Sequence, residues 1–431
     1  MKIAAVIAEY NPFHNGHRYQ LTEIRRRSGA DYIIALMSGD FVQRGAPAIL
    51  DKYERASLAL SEGADLVLEL PVIYALGSAG YFAKGAISIL NQLPVDYLCF
   101  GCEDADLRKL KAAARLFSDE PAEYRSLLQT GLKKGLSFPA ARAQAAEELL
   151  PRLYPALFSN SAEIRAFLHA PNNALAISYL SALAESHSSI EEIAIPRIGK
   201  SYHDLSLSEF ASASAIRKVV YDCRKKGIFL PETPLSATLS LETFSALQKA
   251  LDGNYLQDEN DYLSMIRYLL LSSDLDQLSF IEGVSRDLAM RLKKNLNLTG
   301  DFSALLNSYA NKSVTKASLS RILFRLLLNI PKTLQEDALA KSALYARVLG
   351  VKALSQTGDN KKIPSGILSL LKKESSIPLL INPASDEKQL DRLQKSVFEK
   401  DLFADRLYHA LASSKSGLDF PNEYQRRLLC K

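Results

Sequence analysis

The amino-acid sequence predicts an α/β fold: a Rossmann-like doubly wound parallel sheet, followed by a mainly α-helical C-terminal region. Two observations support this class. Short apolar runs alternate with helix-like segments over the first hundred residues, and helical periodicity dominates beyond residue 231. With 431 residues the chain exceeds one ordinary core. We therefore expect a nucleotide-handling domain at residues 1–230, with a helical insertion at about 120–190, and a mainly helical domain at 231–431.

Four strand–helix units open the chain. The predicted strands are IAAVIA, DYIIALMS, DLVLELPV and DYLCFG, and each precedes a helix-like segment. A further strand, EEIAIPRI, precedes the helix SAIRKVVYDCRKKG, and two short strands, in YARVLGV and IPLLIN, precede the last helix. Ligands of doubly wound sheets bind outside the carboxyl ends of the strands. The loops after the first, second and fourth strands are therefore the candidate site.

Composition and charge limit the possible functions. The chain has 47% hydrophobic and 23% charged residues and no apolar run of membrane-spanning length, so no membrane contact is expected. Four cysteines are too few for a disulfide framework, which favours reduced thiols and a cytoplasmic location. We assign the single C-x-x-C pair, Cys99 and Cys102, a structural role. The net charge of +5 admits nucleic acid as a partner without requiring it, and no obligate protein partner is predicted.

Two histidines, His14 and His17, follow the first predicted strand at H-x-G-H spacing. The first N–H groups of a helix are free and its dipole end is positive, so this turn can hold a phosphate. Gly16 lets that phosphate approach the backbone, and the imidazoles add donors. Paired histidines also ligate zinc, but no Cys or carboxylate cluster at zinc spacing accompanies them, so no metal site is predicted here. The pattern indicates phosphate handling.

A second constellation, SASAIR, opens the helix after the fifth predicted strand. Ser214 and Arg217 are three residues apart, so both project from one face of a first helical turn. A hydroxyl and a planar guanidinium both bind phosphate oxygens. A bare S-x-x-R is common. The Ser214–Arg217 pair is informative because of its position, which allows it to face the histidines across the crevice.

The H-x-G-H turn and the late Ser-x-x-Arg helix start resemble the nucleotidyltransferase superfamily of the HIGH signature. More narrowly, AEYNPFHNGH, SGDFVQRGAPAILDKYERA, the Gly101 turn in YLCFGCE, PNNALAISYL and PRIGKSYHD resemble the bacterial tRNA(Met) cytidine acetate ligase family. These blocks spread over most of residues 1–230. The helical remainder resembles the same family through weaker motifs.

The resemblance implies an enzyme that activates acetate with ATP to acetyl-adenylate. It then acetylates N4 of the wobble cytidine of elongator tRNA(Met), giving N4-acetylcytidine. It implies catalytic roles for His14, His17, Ser214 and Arg217. The ATP-binding residues that it implies are Ile7, Ala8, Glu9, Tyr10, Asn11, Pro12, Phe13, His14, Asn15, Gly16, His17, Arg18, Tyr19, Gln20, Gly101, Asn172, Arg197 and Ile198. Mg²⁺ is expected to accompany ATP by bridging its phosphate oxygens.

Other polar residues allow two interpretations. Asn172 either reads an adenine edge or ribose hydroxyl or caps the following helix. Asp40 and Arg44 lie on the loop after the second strand and are both candidate contacts to acetate or phosphate. Arg44 either neutralises acetate or a phosphate or forms a surface ion pair. His203, in SYHD, either lines the nucleotide site or bonds its own loop.

Charge is uneven in the second half of the chain. Residues 283–332 hold nine basic residues against two acidic ones, after a mainly acidic block. These bases are either solvated helix faces or contacts to an RNA backbone, for which the candidates are Lys312, Lys316, Arg321 and Arg325.

Three functions follow from these features. The leading one is the RNA-modifying ligase. The alternatives are a small-molecule adenylyltransferase that makes a dinucleotide-type cofactor and a non-catalytic nucleotide-dependent RNA-binding factor. About 200 residues that follow an already complete domain favour the first over the second. The intact histidine pair and Ser-Arg pair disfavour the third.

Overall fold

The computed structural model describes residues 1–198, 210–294, 299–341, 344–356, 362–364 and 366–431. The strands are β1 Ile3–Ala8, β2 Tyr32–Ser38, β3 Phe41–Val42, β4 Ala46–Pro47, β5 Leu66–Leu70, β6 Tyr97–Cys102, β7 Glu191–Pro196, β8 Ala346–Val351, β9 Ala353–Gln356, β10 Lys362–Pro364, β11 Leu379–Leu380 and β12 Leu429–Cys430. The helices of the first half are α1 Asn15–Ser28, α2 Lys52–Ser61, α3 Val72–Ala75, α4 Ala79–Leu90, α5 Leu107–Asp119, α6 Ala122–Lys133, α7 Phe138–Leu153, α8 Ser161–His169, α9 Pro171–Glu185 and α10 Ala213–Lys226.

The second half of the chain is mainly helical, as predicted. Its helices are α11 Leu241–Asp252, α12 Leu263–Ser272, α13 Leu275–Ser279, α14 Arg286–Lys294, α15 Phe302–Tyr309, α16 Lys316–Leu327, α17 Lys332–Ala340, α18 Gly366–Glu374, α19 Pro383–Asp386 and α20 Arg392–Ser416. Single 3-10 turns lie at Leu230–Glu232, Pro234–Ala237, Glu259–Tyr262 and Glu387–Gln389. Among the helices of the described ranges, none has both the length and the apolar character needed to span a membrane.

The main sheet has the strand order β11-β8-β5-β2-β1-β6-β7, and β12 also pairs with β8. The five strands β1, β2, β5, β6 and β7 run parallel to one another. This confirms the predicted α/β class with a doubly wound parallel core. β1 is the middle one of these five parallel strands, where Val6 pairs with Ala35 on one side and with Cys99 on the other. The carboxyl end of β1 therefore opens onto the middle of the sheet edge.

Strands from the second half complete this sheet. β8 pairs antiparallel with β5, and β11 and β12 pair with β8. The two short strands predicted there thus join the sheet of the first half. The predicted division near residue 230 therefore does not separate two independent sheets, and the boundary itself stays a prediction.

Alternation along β1 divides the interior into two cores. Ile3 and Ala5 point into the larger core, which packs against α4, α5 and α9. Ala4 and Val6 point into the second core, formed with α1, α2 and α10. Any cleft at the carboxyl edge of the sheet is therefore bounded by different helices on its two faces.

The loop after β2 contains a short hairpin, β3–β4, which the sequence did not reveal. Gly45 turns it with a φ of +74°, and a Cβ at this position would lie 2.3 Å from the Arg321 amide nitrogen. The Ser320 hydroxyl donates to the Gly45 carbonyl at 2.6 Å. Glycine is needed here because α16 packs directly against the hairpin, so the C-terminal half supports a loop of the candidate site.

Candidate active site

His14 caps helix α1. Its Nδ1 accepts a hydrogen bond from the Gly16 amide at 3.1 Å. A Cβ at Gly16 would lie 2.9 Å from His14 Cε1, so the absence of a side chain at Gly16 leaves room for the His14 ring. The His17 ring stacks on the His14 ring at a centroid distance of 3.8 Å. The predicted pair therefore forms one unit at the positive end of a helix dipole.

Both imidazoles are neutral near pH 7. Burial, followed by the charges of Arg197 and Arg217, lowers the pKa of His14 to about 3. Burial also holds the pKa of His17 well below its usual value. Because Nδ1 of His14 is an acceptor, its proton sits on Nε2. His17 Nδ1 is buried and has no hydrogen-bond partner within the described part of the chain. The pair offers N–H donors without a formal charge.

Arg217 joins the start of α10 to the loop after β1. Its Nη1 donates to the Asn11 carbonyl at 2.6 Å, and its Nη2 donates to the Ser214 hydroxyl at 3.3 Å. Ser212 rather than Ser214 caps the helix, because its hydroxyl accepts from the Ala215 amide at 3.2 Å. Ser214 is thus left with its side chain at the cleft.

One cleft of about 300 Å³ brings most of the predicted residues together. The residues from the prediction that line it are Ile7, Ala8, Glu9, Tyr10, Asn11, His14, His17, Gln20, Arg44, Gly101, Asn172, Arg197, Ser214 and Arg217. Gly16, Tyr19 and Ile198 line a small adjoining pocket that shares His14 and His17. The predicted meeting of the histidines with Ser214 and Arg217 thus agrees with the geometry.

Four residues of the predicted ATP-binding stretch lie outside both pockets. The Phe13 ring is buried against Tyr10 at a centroid distance of 4.9 Å, and Arg18 pairs with Glu62. The Asn15 side chain donates to the Ala237 carbonyl at 3.1 Å, and Pro12 follows a cis peptide bond. These contacts shape the turn that carries the histidines. His203 and the rest of GKSYHDLSLSE lie outside the described residues.

Gly101 on β6 lines the cleft beside Gln20 and Arg197. A Cβ there would lie 3.5 Å from Gln20 Nε2 and 3.6 Å from Arg197 Cγ. The Arg197 amide donates to the Cys102 carbonyl at 3.0 Å, which extends the β6–β7 pairing into the cleft. Cys99 and Cys102 are buried on β6 as free thiols, and burial raises the pKa of each to about 12. Buried thiols of this kind are poor nucleophiles.

Asn172 lines the cleft but does not cap α9, whose N-cap is Ala170. Its amide nitrogen donates to Glu103 Oε1 at 2.5 Å. The neighbouring Asn173, which the sequence analysis passed over, is 1% exposed. Its Oδ1 accepts from the amides of Glu103 and Asp104 at 2.9 and 3.1 Å. Of the two asparagines in PNNA, the second fixes the loop after β6 and the first faces the cleft.

Asp40 does not belong to the cleft lining, contrary to its predicted contact with acetate or phosphate. It is 2% exposed, and its Oδ1 accepts from the Lys52 amide at 2.8 Å. Burial raises the pKa of its carboxyl group. Arg44, from the same loop, does line the cleft. Asp40 precedes the unpredicted β3–β4 hairpin, whereas Arg44 lies in its turn, and the two side chains are therefore separated.

Arg55 is a positioning residue that the sequence analysis missed. It is fully buried, and its guanidinium donates to the carbonyls of Glu9, Ser38 and Gly39 at 2.7, 3.0 and 2.5 Å. It thereby ties together the chain just after β1 and β2. The sequence did contain a signal for this role, because Arg55 lies on the apolar face of the predicted helix DKYERASLAL.

Next to Arg55 lies a buried ionic network, which we define as Lys52, Glu69, Arg347, Asp405 and Glu423. Lys52 Nζ lies 3.0 Å from Glu69 Oε1, 3.8 Å from Asp405 Oδ1 and in direct contact with Glu423. Arg347 Nη2 reaches Glu423 Oε2 at 2.8 Å. The network connects α2 and β5 with α20 and the chain after it. Lys52 is the first residue of α2 and also lies at the centre of this network.

The predicted RNA contacts separate into two pairs. Lys312 and Lys316 are exposed. Arg325 is 6% exposed and donates to the carbonyls of Leu76 and Glu282 at 2.6 and 3.2 Å. Burial lowers the pKa of Arg325 to about 10 and also lowers that of Arg321, which packs on the hairpin. Arg325 therefore supports the interior and is not available to an RNA surface.

Comparison with known proteins places the chain in a family. A family model for HIGH nucleotidyltransferases matches residues 1–420. The tRNA(Met) cytidine acetate ligase of Acetivibrio thermocellus is 36% identical over 417 residues, 95% of this chain and 94% of the relative. The same enzyme of Thermoanaerobacter sp. (strain X514) is 37% identical and covers 97% of this chain and 98% of its own.

Solved structures agree with this placement. The chain matches Thermotoga maritima TmcAL in its apo form with a TM-score of 0.87 and in a form bound with alpha-thio ATP with a TM-score of 0.85. Both matches are 29% identical and cover 100% of each chain. The fold, the histidine turn and the length-wide identity together show that this chain belongs to the HIGH nucleotidyltransferases and, among them, to the tRNA(Met) cytidine acetate ligase family.

Proposed function

We propose that this protein is an ATP-dependent ligase that activates acetate as acetyl-adenylate and acetylates N4 of the wobble cytidine of elongator tRNA(Met). The product is N4-acetylcytidine. The observation that carries the proposal is the stacked pair of neutral imidazoles at the start of α1, which shares one cleft with Ser214 and Arg217. Identity to ligases of this name over 95% and 97% of the chain supports it.

In the first half-reaction an acetate oxygen attacks the α-phosphorus of ATP and pyrophosphate leaves. Two anions must meet, so donors and cations have to be held in place before the reaction. The Nε2–H of His14 and the N–H of His17 are suited to the phosphate oxygens, and Arg217 and Arg197 supply charge. Ser214 adds a hydroxyl beside Arg217. Neutral imidazoles at a helix N-terminus stabilise the growing charge at neutral pH.

We expect Mg²⁺ to accompany ATP, where it would neutralise part of the phosphate charge. In the described ranges, no group of three or more His, Cys, Asp or Glu side chains is arranged to hold a metal ion.

The tRNA is assigned to the helical region at 231–431, with Lys312 and Lys316 as candidate phosphate contacts. Both lysines are exposed, one just before and one at the start of α16, the helix that packs on the hairpin next to the cleft. RNA held there lies near the site loops. Because tRNA is the acceptor, we expect the protein to act in the cytoplasm.

The test uses the purified full chain with ATP, labelled acetate and a tRNA(Met) transcript. ATP-dependent label in N4-acetylcytidine is expected, and a transcript with uridine at the wobble position should take up none. Adenylylation of a mononucleotide or of phosphopantetheine would instead support the small-molecule adenylyltransferase. Nucleotide binding without turnover would support the RNA-binding factor, and either result overturns the ligase proposal.

A further inference from the structure

The cleft has two ends of different chemistry, on opposite faces of the sheet. Tyr10 and Phe13, next to the histidines, belong to the core of α1 and α10. Phe82, Phe100 and Tyr179, which also line the cleft, belong to the core of α4 and α9. The cleft crosses the carboxyl edge of β1 and β6. We call the part lined by the histidines, Arg197 and Arg217 its phosphate end, and the part lined by Phe82, Phe100 and Tyr179 its aromatic end.

The aromatic end is a wall of three rings. Tyr179 lies with its ring centroid 6.5 Å from that of Phe82 and 6.2 Å from that of Phe100. The rings come from α9, α4 and β6, so three elements hold them. Rings of this kind provide the stacking surface that proteins use for an unstacked base. The three side chains are only 3 to 5% exposed, but each contributes to the lining of the cleft. A planar base suits such an apolar lining, whereas acetate does not need it.

Glu9 is the one carboxylate among the described residues that line the cleft. It directly follows β1, and its Oε1 accepts from the Gln43 amide at 2.9 Å. Its carbonyl is held by the buried Arg55 at 2.7 Å. Glu9 lines the same cleft as the three rings, and after burial its negative charge is a further cause that raises the pKa of the Tyr179 hydroxyl. Its carboxylate and its backbone carbonyl are both held in place by hydrogen bonds.

We propose that the aromatic end receives the acceptor cytosine and that Glu9 is the catalytic residue that binds its N4 amine and removes a proton from it. This inference rests on the proposed acetylation of tRNA. A carboxylate accepts from the cytosine N4 amine, whereas uracil presents a carbonyl oxygen at the same position. The Gln43 side chain also lines the cleft and can donate to cytosine N3 or O2. The acceptor is therefore selected by its amino group.

The same placement argues against a role for Glu9 in holding ATP. A carboxylate next to the triphosphate would repel it. The histidines, Arg197 and Arg217 supply the donors and positive charge that phosphates require. Glu9 therefore serves the second half-reaction, although it lies within the stretch that the family resemblance assigns to ATP.

The step balances as follows. The lone pair of N4 attacks the carbonyl carbon of acetyl-adenylate, and a C–N bond forms. The bond between that carbon and the adenylate phosphate oxygen breaks, and AMP leaves with the electron pair. One N4 proton passes to the Glu9 carboxylate and then to solvent. The products are the acetylated cytidine, AMP and a proton.

Glu9→Gln tests the proposal because the amide keeps the oxygen that accepts from Gln43 and loses the ability to take a proton. Two rates are measured on the full chain: acetate-dependent exchange of labelled pyrophosphate into ATP, and single-turnover transfer of acetate to a tRNA(Met) transcript. We expect transfer to fall about 100-fold, the size typical of a lost general base, and exchange to fall less than about fivefold. Glu9→Asp should restore transfer by about tenfold over Glu9→Gln.

Glu148→Gln, an exposed carboxylate on α7, is the matched control. Transfer by Glu9→Gln at the wild-type rate would overturn the role of Glu9. Equal losses of exchange and transfer would overturn it as well, since the carboxylate would then act on ATP. A wild-type protein that shows no acetate-dependent exchange and no labelled tRNA overturns the acetylation proposal itself, which is a distinguishable result. Exchange also reports that the Glu9→Gln variant is folded.

Discussion

The cleft and the buried ionic network both adjoin the chain after β1 and β2, but their polar groups differ in charge and in pairing. In the network, Lys52 and Arg347 are paired with carboxylates and excluded from water. In the cleft, the histidines are kept neutral, and Nδ1 of His17 is buried without a partner among the described residues. Buried polar groups are normally satisfied, so an unsatisfied one in a cleft points to a ligand. The network also holds buried atoms without a partner among the described residues, on Asp405 and Arg347, but neither residue lines the cleft. The unpartnered His17 nitrogen differs from them because a ligand in the cleft can reach it.

Breaking the network should give the largest effect. Lys52→Met leaves the buried carboxylate of Glu69 without its cation and that of Glu423 with Arg347 alone, and we expect a loss of about 3 to 5 kcal/mol in the free energy of unfolding. Urea denaturation measures it. The matched control is Lys84→Met, which removes an exposed pair with Glu185 and should cost less than about 1 kcal/mol.

Removing Glu69 as well provides a further check on the network. The double variant Lys52→Met, Glu69→Gln should be more stable than Lys52→Met alone, because the carboxylate that pairs with Lys52 is then also gone. Equal losses for Lys52→Met and Lys84→Met would show that the network contributes no more than a surface pair.

Breaking the cleft should leave the fold intact and stop the chemistry. His14→Ala and His17→Ala should each lower acetyl-adenylate formation by about 100-fold, because each removes a preorganised donor to the reacting phosphate. Pyrophosphate exchange measures this rate. His169→Ala, at an exposed histidine, is the control. Exchange within threefold of the wild type in both cleft variants would remove the histidines from the first half-reaction.

The free energy of unfolding should depend on pH through His409, whose ring lies 3.2 Å from the carboxylate of Asp405 in the network. Burial disfavours its charged form, but hydrogen bonds to Asp405 and Asp51 outweigh burial and raise its pKa to about 10. Since the folded pKa lies above the unfolded one, this stabilisation is fully present below about pH 6.5 and is lost as the pH rises towards 10.

His409→Gln should therefore cost about 2 kcal/mol at pH 6, the value of a hydrogen bond to a charged group, and less at pH 9. Urea denaturation of both proteins at the two pH values gives the difference. A cost that does not change between pH 6 and pH 9 would contradict a charged His409.

The smallest effect is expected at the exposed lysines. Replacing Lys312 and Lys316 by Gln should weaken tRNA binding several-fold and lower the salt slope of binding by about 2, because two phosphate contacts are lost. Acetyl-adenylate formation should stay within twofold of the wild type. The same double change at Lys372 and Lys373, two exposed bases on α18, is the control. An unchanged salt slope would place the RNA elsewhere.

The sequence was informative where local rules decide the structure. Apolar runs and the H-x-G-H turn were enough to predict the parallel strands and a histidine pair at a strand–helix junction, because both depend on neighbouring residues. The Ser-Arg helix start was placed correctly for the same reason.

Long-range contacts were beyond that reasoning. No local pattern in YARVLGV indicates that β8 pairs antiparallel with β5. Likewise, no pattern around Arg325 indicates that its side chain turns inward to the Leu76 carbonyl. Asp40 and Arg44 are four residues apart, yet Asp40 precedes the hairpin and is buried, whereas Arg44 lies in the turn of the hairpin and lines the cleft. Arg55 and Asn173 were missed because their partners come from loops distant in sequence.

The proposed function requires that the cleft join acetate to ATP before RNA takes part chemically. Exchange of labelled pyrophosphate into ATP should be measured in the presence of a tRNA(Met) transcript with uridine at the wobble position, which cannot accept the acetyl group. We expect exchange that requires acetate and is reduced about 100-fold in His17→Ala. Exchange that proceeds equally without acetate, or no exchange with it, would contradict the proposed activation of acetate in this cleft.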